Sequence, residues 1–200
     1  MDFDHYAIHA ALSRVTVGAF ATSAFDTLGN SPTLMIQELG GWARFAPVTF
    51  AEACVQIKIN AGSLTLVESM SEEDRNAIEH RITRELLEVE NYPEIIFRSS
   101  RVSVSKAGDG QYWINLVGDL SLHGVTGSLP VAAQMALIGN RLRAHGEFTF
   151  LHTSYEMKPV RIPCRTLKLK DEVKCSFDIL AWKQTDLTRQ EGPIFAAEGL

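Results

Sequence analysis

The chain has 200 residues, 46% hydrophobic and 22% charged, with a formal net charge of -5. That is the length of one soluble domain with a core large enough to need no disulfide or metal staple. The 19 Lys and Arg residues are scattered, which excludes a phosphate-tracking nucleic-acid surface and disfavours anionic membranes. No apolar run approaches the ~18 residues that span a bilayer, so no transmembrane segment is expected.

Met1-Asp2-Phe3-Asp4-His5 carries two acids where an export signal carries positive charge, and no apolar stretch follows. The expectation is a cytosolic protein whose three cysteines, Cys54, Cys164 and Cys175, are free thiols. A short strand is expected at Tyr6 to Ile8, followed by one through Val15, Val17 and Ala19 and a less regular one from Thr33 to Leu39. Gly29-Asn30-Ser31-Pro32 and Gly40-Gly41 read as turns. The cleanest alternation sets Ala53, Val55, Ile57 and Ile59 against Cys54, Gln56, Lys58 and Asn60, as in a strand with one wet face.

One helix is expected, from Ser71 to Val89. Ser71 caps it with Asp74 at the capping-box position, and Ile78, Ile82 and Leu86 form one apolar stripe. Arg75, Glu79 and Glu90 fall off that stripe, Arg81/Glu85 and Arg84/Glu88 are spaced to pair, and Pro93 ends the segment. Further strands follow from Ile95 to Val104, through Tyr112, Ile114 and Leu116, from Val131 to Ile138, from Leu142 to Phe150, and from Val173 to Ile179. Gly108-Asp109-Gly110, His123-Gly124 and Gly139-Asn140 read as the turns between them. Short turns join antiparallel neighbours. The fold class is therefore all-β with one amphipathic helix, eight or nine strands in a single domain over residues 1–184, and a C-terminal extension over 185–200.

The common catalytic spacings are missing: there is no GxSxG, HExxH, P-loop, or GxGxxG after a strand. Gly108-Asp109-Gly110 sits between strands with no helix to aim amides at a phosphate. His5 and His9 would lie ~13 Å apart along an extended chain, and His123, His145 and His152 read as surface or turn residues, so no metal site is expected. Cys54 falls on the polar phase of its strand and Cys175 on the apolar phase, neither beside a base that would activate it.

The ordered segments resemble the YceI-like domain family of lipid- or polyisoprenoid-binding β-barrels, over about residues 5 to 183. The strongest pieces are Asn91-Tyr92-Pro93-Glu94-Ile95-Ile96-Phe97-Arg98-Ser99, similar to the family's YPxIxFxS, and Gly118-Asp119-Leu120-Ser121-Leu122-His123-Gly124-Val125-Thr126, similar to its GxLxxHGVT turn. Ser13 to Val17, Leu28 to Thr33 and Leu167 to Val173 support them. Three departures stand beside these: Gly127 replaces a basic residue, and Ser154-Tyr155-Glu156 and Pro163-Cys164-Arg165 replace glycine-containing turns.

The resemblance implies an antiparallel, lipocalin-like barrel of about eight strands holding an apolar tail, a polyisoprenoid or an isoprenoid quinone, with no cofactor required and no catalysis. The apolar phases of the strands then supply the wall: Phe20, Val55, Ile57, Phe97, Leu116, Leu120, Met135, Phe148, Phe150, Phe177 and Ile179. A tail hiding ~500 Å² would gain about 12 kcal/mol before costs, enough for tight binding with hardly any polar contact. One elongated cavity above ~300 Å³ is expected, open at one end. Two alternatives stay open: a barrel-pocket isomerase or cyclase using Tyr112 or Cys175, and a filled-barrel interaction or stress-response module. Exposed strand edges and Pro193-Ile194-Phe195 point to a homodimer.

Overall fold

The computed structural model describes residues 3–22, 33–67, 71–158 and 167–184. The expectations for Gly29 to Pro32, for Pro163-Cys164-Arg165 and for the extension from 185 to 200 lie outside the described residues. Eleven strands form one antiparallel sheet: β1 (Asp4–Ile8), β2 (Arg14–Thr22), β3 (Thr33–Ile36), β4 (Leu39–Phe45), β5 (Cys54–Asn60), β6 (Leu64–Leu66), β7 (Glu94–Gly108), β8 (Gln111–Leu122), β9 (Val125–Ile138), β10 (Arg141–Leu151) and β11 (Leu167–Lys183). Eight of these, in the order β1-β4-β5-β7-β8-β9-β10-β11, close into a barrel because β11 also pairs with β1, Tyr6 opposite Lys183 and Ile8 opposite Ala181. The 17 residues of β11 also carry β2, and a register shift between Leu169 and Lys174 bends the strand where it leaves the barrel. From β2 the order continues through β3 to β6 as a side flap.

Two strands exceed the nine expected: one comes from a split, and the other, β6 at Leu64–Leu66, was not expected. The expected strand from Thr33 to Leu39 breaks at Gln37-Glu38 into β3 and the start of β4. Gly40-Gly41 is not a turn but lies within β4. At Gly41, φ is +148° and a Cβ would meet the Gln56 carbonyl oxygen at 2.1 Å, so glycine is what lets β4 approach β5. The Gly108–Gly110, His123-Gly124 and Gly139-Asn140 turns are hairpins as expected, with Gly110, Gly124 and Gly139 at positive φ.

Ser71 Oγ accepts the Asp74 N–H at 3.1 Å and starts helix α1 (Glu72–Arg81). A π-helical turn over Ile82–Leu86 follows, with Leu87 N–H bonded to the Ile82 carbonyl. Ile78, Ile82, Leu86 and Leu87 are all buried: the extra residue in the π turn brings two adjacent leucines to the apolar side. It also corrects one expected pair. Arg81 meets Glu85 at 3.6 Å, but Arg84 pairs with Glu90, because Glu88 turns left-handed at φ +46° and reaches His123 instead. Arg75 and Glu79, half-buried beside that stripe, both bond the backbone of Leu66 in β6.

One end of the barrel, here the floor, is closed by α1, the flap and the β8–β9 turn. Its buried cluster includes Leu34, Ile36, Leu64, Ile82 and Leu122. The strand termini Phe45, Cys54, Gly108, Gln111, Ile138 and Arg141 lie at the other end, the mouth, where a second cluster gathers around Tyr6, Phe45, Ile114, Met135 and Leu142.

Candidate ligand-binding site

The inward phase of the eight barrel strands is apolar almost throughout, and among the described residues it borders two adjoining chambers. The upper, of about 160 Å³, lies under the mouth. The lower, of about 100 Å³, lies between the barrel and its floor, against Leu34, Ile36, Leu64, Ile82, Leu86 and Met157. Val15, Ile59, Ile95, Leu120 and Phe148 border both and form the neck between them.

Of the wall residues expected from the sequence, Val55, Ile57, Phe97, Leu116 and Leu120 border the upper chamber from β5, β7 and β8, and Met135, Phe148, Phe177 and Ile179 from β9, β10 and β11. Phe150 borders only the lower chamber. Phe20 belongs to β2 by its backbone, and its side chain lies outside the described residues.

The expected single cavity above ~300 Å³ is corrected. Both chambers are smaller, because large wall side chains fold into the interior, where an empty apolar space forfeits dispersion contacts. Two glycines shape this infill. Phe97 lies over Gly118 and Phe177 over Gly146, so close that a Cβ would meet the rings at 2.5 and 2.9 Å.

Sequence reading missed the closure of the mouth. Four rings run across it from β1 to β8: Tyr6 on Phe45 at 5.2 Å, Phe45 on Phe50 at 5.1 Å, and Phe50 edge-on to Tyr112 at 4.7 Å. Tyr6 shares the phase of Ile8, and Phe45 that of Ala43, a signal that could have placed them inside. Phe50 sits in a loop, where periodicity says nothing.

The polar groups near the interior are held quiet. Cys175 borders the lower chamber and burial pushes its thiol up to about 12, so it stays neutral and unreactive. Cys54 is half-buried near the mouth, opposite Arg44 and on the strand phase opposite to the chamber-lining Val55 and Ile57. Tyr112 stands at the mouth rather than inside.

Two histidines read as surface or turn residues are in fact packed. His152 is buried, with Nδ1 3.1 Å from the Met157 carbonyl oxygen. His123, at φ +52°, stacks on Tyr92 at 4.7 Å; its Nδ1 is 3.2 Å from the Tyr155 carbonyl oxygen, and its Nε2 is 3.3 Å from Glu88 Oε1 without an aligned hydrogen bond. Among the described residues no three His, Cys, Asp or Glu side chains converge as metal ligands.

The departures noted at the floor fit one another. A Cβ on Gly127 would meet the Tyr155 hydroxyl at 3.1 Å, so the missing side chain makes room for Tyr155, which is buried edge-on to Phe150 at 5.4 Å. Glu156, in the turn where the family resemblance implies glycine, takes the left-handed conformation itself at φ +56°.

A closed eight-stranded antiparallel barrel around apolar chambers, with one helix under its floor, defines a lipocalin-like barrel. The chain belongs to the YceI-like domain family, whose model matches residues 6–181. Among solved structures it is similar to Burkholderia cenocepacia BcnA, with 17% identity over 86% of this chain and 98% of that one and a TM-score of 0.65. It is similar also to a polyisoprenoid binding domain from Saccharophagus degradans implicated in plant cell wall breakdown, with 15% identity over 90% and 98% of the two chains and a TM-score of 0.66. A Campylobacter jejuni YCEI protein shares 12% identity over 76% and 85% of the chains, at a TM-score of 0.56. No curated protein matches the chain.

Proposed function

We propose that the protein binds the apolar tail of a lipid, a polyisoprenoid or an isoprenoid quinone, inside the barrel, and carries or stores it without chemistry. The observation behind this reading is the hydrocarbon wall: chambers bordered by Val55, Ile57, Phe97, Leu120 and Phe177 can recognise a ligand by apolar area alone. Membership of the YceI-like family and the polyisoprenoid binding attributed to the Saccharophagus relative support it. A long tail requires the rings infilling the barrel to rotate toward the wall, with Phe148 and Leu120 opening the neck. Among the described residues no helix is long and apolar enough to cross a membrane. The reading places the carrier in the reducing cytosol, in keeping with free thiols at Cys54 and Cys175.

The test is organic extraction and mass spectrometry of protein purified from a bacterial host. Wild type carries an isoprenoid or acyl lipid, and added polyprenol or quinone raises its melting midpoint. Phe148→Asp sets an unpaired carboxylate at the neck and returns empty, provided it still melts cooperatively. The small chambers favour one second reading, a filled barrel acting as an interaction module. Clean wild-type extracts together with no stabilisation by added lipid select it.

A further inference from the structure

Residues 46–53 cross the mouth between β4 and β5, and their backbone is strained. Val48, Phe50 and Glu52, none of them glycine, stand at φ +75°, +55° and +50°. Val48 is β-branched, for which this region is a genuine outlier. The Thr49 N–H reaches back across it to the Pro47 carbonyl at 2.9 Å, closing a γ-turn of the rare positive-φ kind.

The strain has two visible results. Val48 is held out in solvent at 91% exposure, and the Phe50 ring is held in, between Phe45 and Tyr112. Packing does not require an apolar tip in water, and strain of this kind is kept where it serves a function. Ile138, at the top of β9 on the same end of the barrel, is 75% exposed. The rim around these residues carries both signs: Lys106 pairs with Asp109 at 3.1 Å and Lys183 with Asp4 at 2.8 Å, Glu52 lies in the loop itself, Arg141 lies beside Ile138 over the Trp182 ring, and the chain as a whole is acidic.

Resting on the lipid-carrying reading, we propose that this loop docks on a neutral lipid bilayer and opens the barrel there. Val48 enters the interfacial region, the contact releases the γ-turn, and Phe50 leaves its place between Phe45 and Tyr112, so that a tail passes from bilayer to chamber without crossing water. A bilayer fits better than a protein partner. Val48 and Ile138 are separate apolar points in a polar rim, which a fluid surface accommodates and a rigid complementary face does not. A rim of mixed sign on a net negative chain favours zwitterionic over anionic lipid.

Val48→Gly tests this without endangering the fold, because glycine takes up a positive φ without the steric cost that valine bears there. A dansyl-farnesyl probe is supplied in two ways, as monomer in dilute solution and carried in phosphatidylcholine vesicles, and loading is followed by fluorescence. The expected result is unchanged loading from solution and uptake from vesicles slowed about tenfold, with weaker co-sedimentation on empty vesicles. Wild-type uptake from vesicles by the variant overturns the docking, and so does an equal slowing from both sources. A wild-type protein that loads from neither source overturns the lipid-carrying reading, and this proposal with it.

Discussion

Glu79 of α1 accepts the backbone N–H of Leu66 at 2.7 Å, while Arg75, one turn earlier, donates to the Leu66 carbonyl at 2.6 Å. Leu66 belongs to β6, the strand that ends the sheet order. Two helix side chains thus occupy the positions a further strand would take, and blunt the edge left after the barrel closes. The expectation of a homodimer rested partly on exposed edges, and closure together with this cap removes most of that ground. Pro193-Ile194-Phe195 lies outside the described residues, so the homodimer stands as a proposal only.

Replacing Glu79 by alanine should leave the buried Leu66 N–H unpaired and cost about 1–3 kcal/mol in urea unfolding. Glu79→Gln, which keeps a carbonyl acceptor, should stay close to wild type. The bared edge should also raise the apparent mass of the alanine variant by light scattering. Equal midpoints for all three proteins would remove the capping role.

Gly146→Ala should destabilise by about 1–3 kcal/mol. An added methyl there meets the Ala132 carbonyl oxygen at 2.4 Å and the Phe177 ring at 2.9 Å, and the first of these is backbone that cannot swing aside. Calorimetry decides: an unchanged melting midpoint refutes the close approach of β9, β10 and Phe177.

Glu156→Gly is expected to raise stability by about 0.5–1 kcal/mol, because glycine enters the left-handed region freely and glutamate does not. The readout is the urea midpoint at constant slope. A lower midpoint would mean that Glu156 makes a contact worth more than the backbone strain.

Cys175 should resist maleimide at pH 8 in a Cys54→Ser, Cys164→Ser background and react fully once unfolded, since burial keeps the thiol protonated. Its folded value of about 12 stands above the ordinary 9.0. The stability this provides is therefore complete below pH 9.0 and lost as pH rises toward 12. Cys175→Ala should flatten that alkaline limb; rapid labelling of native protein would show the site to be open.

On the acid side, the hydrogen bonds from the Arg143 guanidinium hold the Asp178 carboxyl below its usual range, against a smaller upward push from burial. A depressed folded value contributes stability that is present above the unfolded carboxyl's pKa, ~4, and is lost as pH falls through the folded value. Asp178→Asn should make the loss of stability as pH falls below the unfolded carboxyl's range shallower. Parallel acid limbs in wild type and variant would show that the pair contributes nothing.

Much of the barrel was legible because period-two alternation is a local property: Val55/Ile57, Leu116/Leu120 and Phe148/Phe150 announce an inward face without reference to any partner. The capped start of α1 and the three hairpin turns were legible for the same reason, being set by residues a few positions apart. Gly40-Gly41 misled because glycine at a turn and glycine under a crossing backbone look alike until the second strand is in place. The Arg84/Glu88 pair failed because a π turn, which answers to packing against the floor, shifted the helical spacing.

Composition and alternation by themselves determined that this chain is a β protein with one helix and a hydrocarbon inner face, since these follow from which side chains can share a surface. Only the tertiary structure decided that β11 closes on β1, that the interior divides at Phe148 and Leu120 into two chambers, and that Phe50 shuts the mouth. Those outcomes depend on contacts between residues distant in sequence, Tyr6 with Lys183 or Phe50 with Tyr112. Their energies come from burial and ring packing that exist only once the barrel has closed.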